Sequence, residues 1–189
     1  TISIPTFANS QVQVKGDLNV SGTVANPVIT GMINIPYVSL PSIQTLGKNI
    51  TINATKSLID VYCGNIKVAD SVMQIIATMN SNFNRGVYIR SMTFNAENIN
   101  ADSLMRMISL LPQSNIAPGT DAGITIASGN AKVERISLGT IAANNVTSDF
   151  NLYNNLFKLN NISASAYGGK IVGKITYNLL YSSTGINLQ

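Results

Sequence analysis

The sequence predicts a mostly β protein with many short strands and one short α-helix. Three observations carry that prediction. Apolar and polar residues alternate over run after run, with Val, Ile, Thr and Tyr filling the runs. Gly, Asn-Pro and Ser-Gly punctuate them where a chain would turn. One stretch alone, Ala101 to Leu111 (ADSLMRMISLL), changes to helical spacing.

In chain order, Ile29, Gly31, Ile33 and Ile35 share one face of a strand, with Thr30, Met32 and Asn34 on the other. Ile50 and Ile52 alternate with Asn49, Thr51 and Asn53. Val87, Ile89, Ser91 and Thr93 oppose Tyr88, Arg90, Met92 and Phe94, so this strand reads as apolar on parts of both faces. The helix follows. Leu104, Ile108 and Leu111 form its stripe, flanked by Met105 and Met107; Asn100 or Asp102 caps its start, and Pro112 ends it. The stripe is expected to close an end or edge of a sheet. Gln113 to Gly123, with Pro118-Gly119, reads as a loop and an internal boundary (113–123) within one β-rich segment, 1–189, of a longer protein. A second β region runs from Ile124 to Leu188. In it Ile171, Gly173, Ile175, Tyr177 and Leu179 oppose Val172, Lys174, Thr176 and Asn178. There is no strict long repeat; strand-sized units recur, as in a meander or solenoid whose strands contact mainly their neighbours.

Composition narrows the chemistry. Of 189 residues none is His and only Cys63 is Cys, which removes His-based nucleophilic triads, His-ligated metals, an intrachain disulfide and a Cys-based zinc cluster. Charged residues make up 11%, with 12 Lys+Arg against 8 Asp+Glu, so the pI near 9.3 reflects few acids. The cations are scattered, and nucleic acid is not an expected partner. No apolar run is long enough to span a membrane as a helix.

The motifs that suggest chemistry each have a plainer structural reading. Glu97, Asn98, Asn100 and Asp102 lack the glycine and terminal glutamate of a calcium loop and fit a strand end running into a helix cap. Tyr167-Gly168-Gly169-Lys170 precedes a strand, where a phosphate-binding loop would precede a helix, and so reads as a turn or bulge. Cys63 lacks a neighbouring cation to activate it and reads as a small filler. Asp60 and Asp70 stand alone. Five Asn-x-Ser/Thr sequons, at Asn19, Asn49, Asn53, Asn145 and Asn161, are what this much Asn, Ser and Thr produces by chance. What remains is abundant aliphatic side chain on strands with little charge. Periodicity leaves open whether that surface is a closed core or a half-open apolar face.

Two stretches resemble a known family. Gly16 to Pro36 (GDLNVSGTVANPVITGMINIP) resembles the strand pairs of AsmA-like envelope proteins, a superfamily that includes the inner-membrane subunit of the translocation and assembly module. Val133 to Tyr177 resembles its C-terminal region. There, Ile136 to Val146, Phe150 to Leu156, Leu159 to Ile162 and Ala166 to Gly173 follow its order of short strands leading to a Tyr-Gly-Gly turn. The helix before Leu110-Leu111-Pro112 is also similar.

The resemblance implies an elongated, curved antiparallel sheet folded into a trough (a taco or groove). It implies a periplasmic place in the cell envelope, with the parent protein anchored in the inner membrane. The ligand it implies is phospholipid, whose acyl chains would pass between inner and outer membranes with no cofactor and no enzymatic step. Candidate lipid-binding residues are the alternating aliphatics Ile29, Ile33, Ile35, Ile50, Ile52, Ile75, Ile89, Ile136, Leu138, Ile171 and Ile175. Lys170 and Lys174, on the opposite face of their strand, could meet anionic headgroups or simply solvent. Two other readings stand beside this one: an assembly factor for outer-membrane β-barrel proteins that binds nascent strands by β-augmentation, and a surface adhesin β-helix. An enzyme would require Asp60, Asp70, Glu97 and Asp102 to converge in a cleft.

Overall fold

A computed structural model describes residues 10–23, 26–81, 87–103, 106, 124–178 and 183–188. Eleven strands form one sheet in which each strand lies beside its neighbours in sequence. They are β1 (Gln11–Thr23), β2 (Asn26–Leu40), β3 (Thr45–Ala54), β4 (Leu58–Val68), β5 (Ser71–Asn80) and β6 (Val87–Asn100), then β7 (Ile124–Leu138), β8 (Ile141–Tyr153), β9 (Leu156–Ala166), β10 (Gly169–Asn178) and β11 (Ser183–Leu188). The mostly β class and the meander of neighbouring strands are therefore as the alternation predicts. The sheet is not closed: among the described residues β1 pairs only with β2, and β11 only with β10.

The expectation of a wholly antiparallel sheet needs one correction. β6 and β7 pair in parallel, from Val87 beside Ile124 to Asn100 beside Ser137. Parallel neighbours cannot be joined by a hairpin and need a longer connection; residues 101–123 separate these two strands. Every other pairing is antiparallel, which is not the parallel stacking of a β-helix.

Tight turns account for part of the Asn and Gly usage. Asn154 and Asn155 (φ 48° and 60°) form the two-residue link between β8 and β9, and Tyr167 and Gly168 (φ 50° and 79°) link β9 to β10. Both loops have two left-handed central residues, the conformation that matches the twist of a hairpin. The Tyr-Gly-Gly motif is thus a turn, and Gly169 opens β10.

A second use of Asn lies inside the strands. Asn49 (φ 56°) in β3 and Asn145 (φ 52°) in β8 are left-handed and interrupt the alternation. On either side of Asn49, Gly47 and Ile50 share a face; a Cβ built on Gly47 would lie 3.0 Å from Ile50 Cδ1. The register carries this interruption from strand to strand, from Pro36 opposite Asn49 to Glu97, Glu134 and Asn145. Along that line two successive residues point outward: Lys48 and Asn49, Glu97 and Asn98, Glu134 and Arg135, Asn144 and Asn145 are all exposed. Such bulges bend a strand and strengthen its twist.

A bulge also corrects the reading of β6. Thr78 faces Ser91 but Met79 faces Ile89, leaving Arg90 as an extra residue. Ile89, Met92 and Phe94 consequently lie on one face, so β6 is not apolar on both sides as strict alternation suggested.

The short helix begins where expected. Residues 101–103 and 106 are helical, and Asn100 is the cap, its Oδ1 accepting the Ser103 N–H at 3.0 Å. Asp102 serves elsewhere, accepting the Gly139 N–H at 2.6 Å, while the Ser103 hydroxyl donates to Asp70 at 3.0 Å and Ser71 Oγ accepts the Asn100 N–H at 3.1 Å. The β4–β5 and β7–β8 turns are so tied to the helix start. The stripe of Leu104, Met105, Met107, Ile108 and Leu111, and the loop 113–123, lie outside the described residues.

The left-handed backbone at Asn145 makes a direct prediction. Asn145→Val should lower stability by about 1–2 kcal/mol, whereas Asn145→Gly should be nearly neutral; urea unfolding followed by circular dichroism would measure both.

Candidate functional site

The two faces of the sheet differ in chemistry. Every charged residue on a described strand, from Lys15 and Asp17 to Lys170 and Lys174, is exposed. These residues share the outward face with polar ribbons that cross the strands. Asn95 Nδ2 donates to Gln74 Oε1 at 3.1 Å, and Gln74 Nε2 donates to the Tyr62 hydroxyl at 3.2 Å. Thr51 Oγ1 donates to Asn34 at 3.2 Å, Thr78 Oγ1 to Asp60 at 2.7 Å, and Asn161 Nδ2 to Asp149 at 2.7 Å. Uncharged amides and hydroxyls therefore solubilise this face, as the composition requires.

The other face is aliphatic and continuous. Reading across the register, Ile33 lies beside Ile52, then Val61, Ala77, Met92, Gly129, Phe150, Leu159 and Ile175. A parallel row contains Ile35, Ile50, Cys63, Ile75, Phe94 and Ala131. Residues directly opposite on neighbouring strands point to the same side, so these rows make one surface.

The structure places all the sequence-predicted residues on this face. Ile33 pairs with Ile52 and Ile35 with Ile50; Ile75, Ile89 and Ile175 stand in the same rows or the next one. Ile29 pairs with Val20, Ile136 with Ala143 and Ile171 with Ala164. All of these are half-buried; Leu138, beside Ile141 at the β7–β8 turn, is 45% exposed. Few large side chains are well covered, and among the described residues Ser71 alone is completely buried. An apolar face in this state is neither a dry core nor ordinary wet surface.

The residues that sequence reasoning missed are in β8 and β9. Ser148, Phe150 and Leu152 are buried at successive inward positions of β8. The Phe150 ring lies over Gly129 so closely that a Cβ there would be 2.3 Å from it, and Phe157 packs at 5.9 Å between centroids with a 43° tilt. The alternation Val146, Ser148, Phe150, Leu152 was the available signal.

Among the described residues, Asp60, Asp70, Glu97 and Asp102 do not converge in one cleft. Asp60 is on the outward face held by Thr78, while Asp70 and Asp102 are engaged at the helix start. Glu97 lines two shallow outward depressions of about 570 and 440 Å³ with Lys132 and Glu134, following the bulge line. Lys170 and Lys174 are exposed on the outward face; Lys174 borders a third depression of about 470 Å³ with Asn160, Asn161 and Val172. Among the described residues no group of His, Cys, Asp or Glu is placed to hold a metal, and no helix is long and apolar enough to cross a membrane. No protein-family profile, curated protein or solved structure matches the chain.

Cys63 is buried among the inward residues, and burial pushes its thiol pKa up. The thiolate fraction near pH 8 is then lower than in an open peptide. Reaction with an aromatic disulfide reagent should be slower than for the unfolded chain, with its pH profile moved upward, and should reach the unfolded rate in denaturant.

Proposed function

We propose that the chain is a non-enzymatic lipid-transport segment of an AsmA-like envelope protein. In this reading the sheet curls lengthwise into a groove, and its inward face carries phospholipid acyl chains through the periplasm between inner and outer membranes. The parent protein is anchored in the inner membrane. The observation that carries the reading is the sorting of the two faces: the strands keep every charge outward and leave a continuous aliphatic surface half-covered.

The chemistry suits a mobile acyl chain. Each methylene removed from water gains up to about 0.8 kcal/mol, so a row of Ile, Val and Met can hold a chain without a polar pocket. An uncharged floor offers no strong point at which a headgroup would stop. A half-covered surface yields less per methylene, which favours movement over tight capture.

A second reading has its own observation. β1 is 13 residues long and has no second strand partner among the described residues, with Val20 65% and Leu18 46% exposed. Such an edge can add a strand of an unfolded outer-membrane β-barrel protein by β-augmentation.

Native mass spectrometry of the purified protein, with lipid extraction from the same sample, tests the first reading. Phospholipid is expected to accompany the wild type and Ile76→Asp, whose side chain is outward and 42% exposed. It should be lost from Ile33→Asp, Ile52→Asp and Ile175→Asp while circular dichroism shows the sheet intact. A lipid-free wild type that unfolds on the three inward substitutions would mark a closed core and end this reading.

A further inference from the structure

Building on the lipid reading, we infer that the apolar face is divided, and that Phe150 and Phe157 form the boundary at which a bound acyl chain stops. The burial pattern is uneven along the sheet. In β2 to β6 most large inward side chains, Ile33, Ile52, Ile75 and Ile89 among them, are half-buried and keep surface that a ligand could cover, with Ile59 at 8% exposed as the exception. β8 is different: Phe150 is 7% and Leu152 8% exposed, and across the pair in β9 Ile162 is 9% exposed.

The geometry at Phe150 explains the change. One face of the ring is pressed on the backbone of β7 at Gly129, where no side chain exists to hold it off. A ring lying on a single open sheet would show its upper face to solvent. Phe150 is only 7% exposed, so neighbouring side chains cover it as well, and Phe157, two residue pairs along the β8–β9 ladder on the same face, packs against it at 5.9 Å. The protein thus fills with its own aromatic rings the space that a methylene chain would occupy further along. An acyl chain lying over β2 to β6 meets these rings after crossing the β6–β7 junction. Beyond them the face is half-buried again at Ile171 and Ile175, a second stretch separate from the first.

Photolabelling with a diazirine-bearing palmitate, followed by peptide mapping, tests the division in the wild-type chain. Label is expected on inward residues of β2 to β6, with only background on β8 and β9. In Phe150→Ala, labelling should extend through β8 and β9 toward Ile175. If that variant loses its sheet signal in circular dichroism, Phe157→Leu removes part of the cover with a smaller change in volume and should show the same extension. Wild-type labelling that runs evenly from β2 through β10 would overturn the division and leave the lipid reading standing. Labelling confined to outward residues, or none that excess palmitate competes away, would remove the lipid reading and the division with it.

Discussion

One constraint shapes this molecule: a single sheet must satisfy its backbone in plane while having two faces and, among the described residues, no second layer. The ladders between sequence neighbours meet the hydrogen-bonding requirement, strand after strand. They do nothing for the side chains. One face therefore has to be wet and the other has to find cover, and the sequence divides its residues accordingly. The outward face holds all the charge of the described strands, while the inward face holds Ile, Val, Met and Phe with small residues between them. The half-buried state of the inward aliphatics follows from having one layer to cover them, and the proposed lipid role rests on that state.

The outward face shows why so little charge suffices. Cross-strand bonds among Asn34, Thr51, Tyr62, Gln74 and Asn95 engage polar groups with each other as well as with water. Asn has a further structural use at Asn49, Asn145, Asn154, Asn155 and Asn161, where φ is positive. Its short side chain tolerates the left-handed region better than most, so it can turn a hairpin or bulge a strand where Gly would leave the face bare. These five Asn residues serve the way the sheet turns and bends.

Much of this was legible in the sequence, within definite limits. The alternation at Ile29 to Ile35 and at Ile171 to Tyr177 gave the correct faces because those segments run without an inserted residue. It failed at Arg90, because period-two reasoning cannot see a bulge whose cause lies in the pairing of β5 with β6. The cap at Asn100 was legible from local chemistry, whereas the role of Asp102 was not, since its partner Gly139 is distant in sequence. Parallel pairing of β6 with β7 leaves no local mark, as a strand's own alternation is the same for either direction. The seat of Phe150 on Gly129 likewise depends on register, and only the alternation of β8 hinted at it.

The sequential pairing of the strands has a consequence for how such a chain is made and how it changes. Contacts between neighbours form early and cheaply, so β1 to β6 can assemble as a meander while the rest of the chain is still being synthesised. The parallel junction is the exception, since β7 can dock on β6 only after the whole connection 101–123 has been synthesised. Folding should accordingly proceed as two meanders joined at one seam. The same arithmetic applies over evolutionary time: a hairpin gained or lost within either meander changes the length of the sheet by two strands and leaves every other pairing as it was.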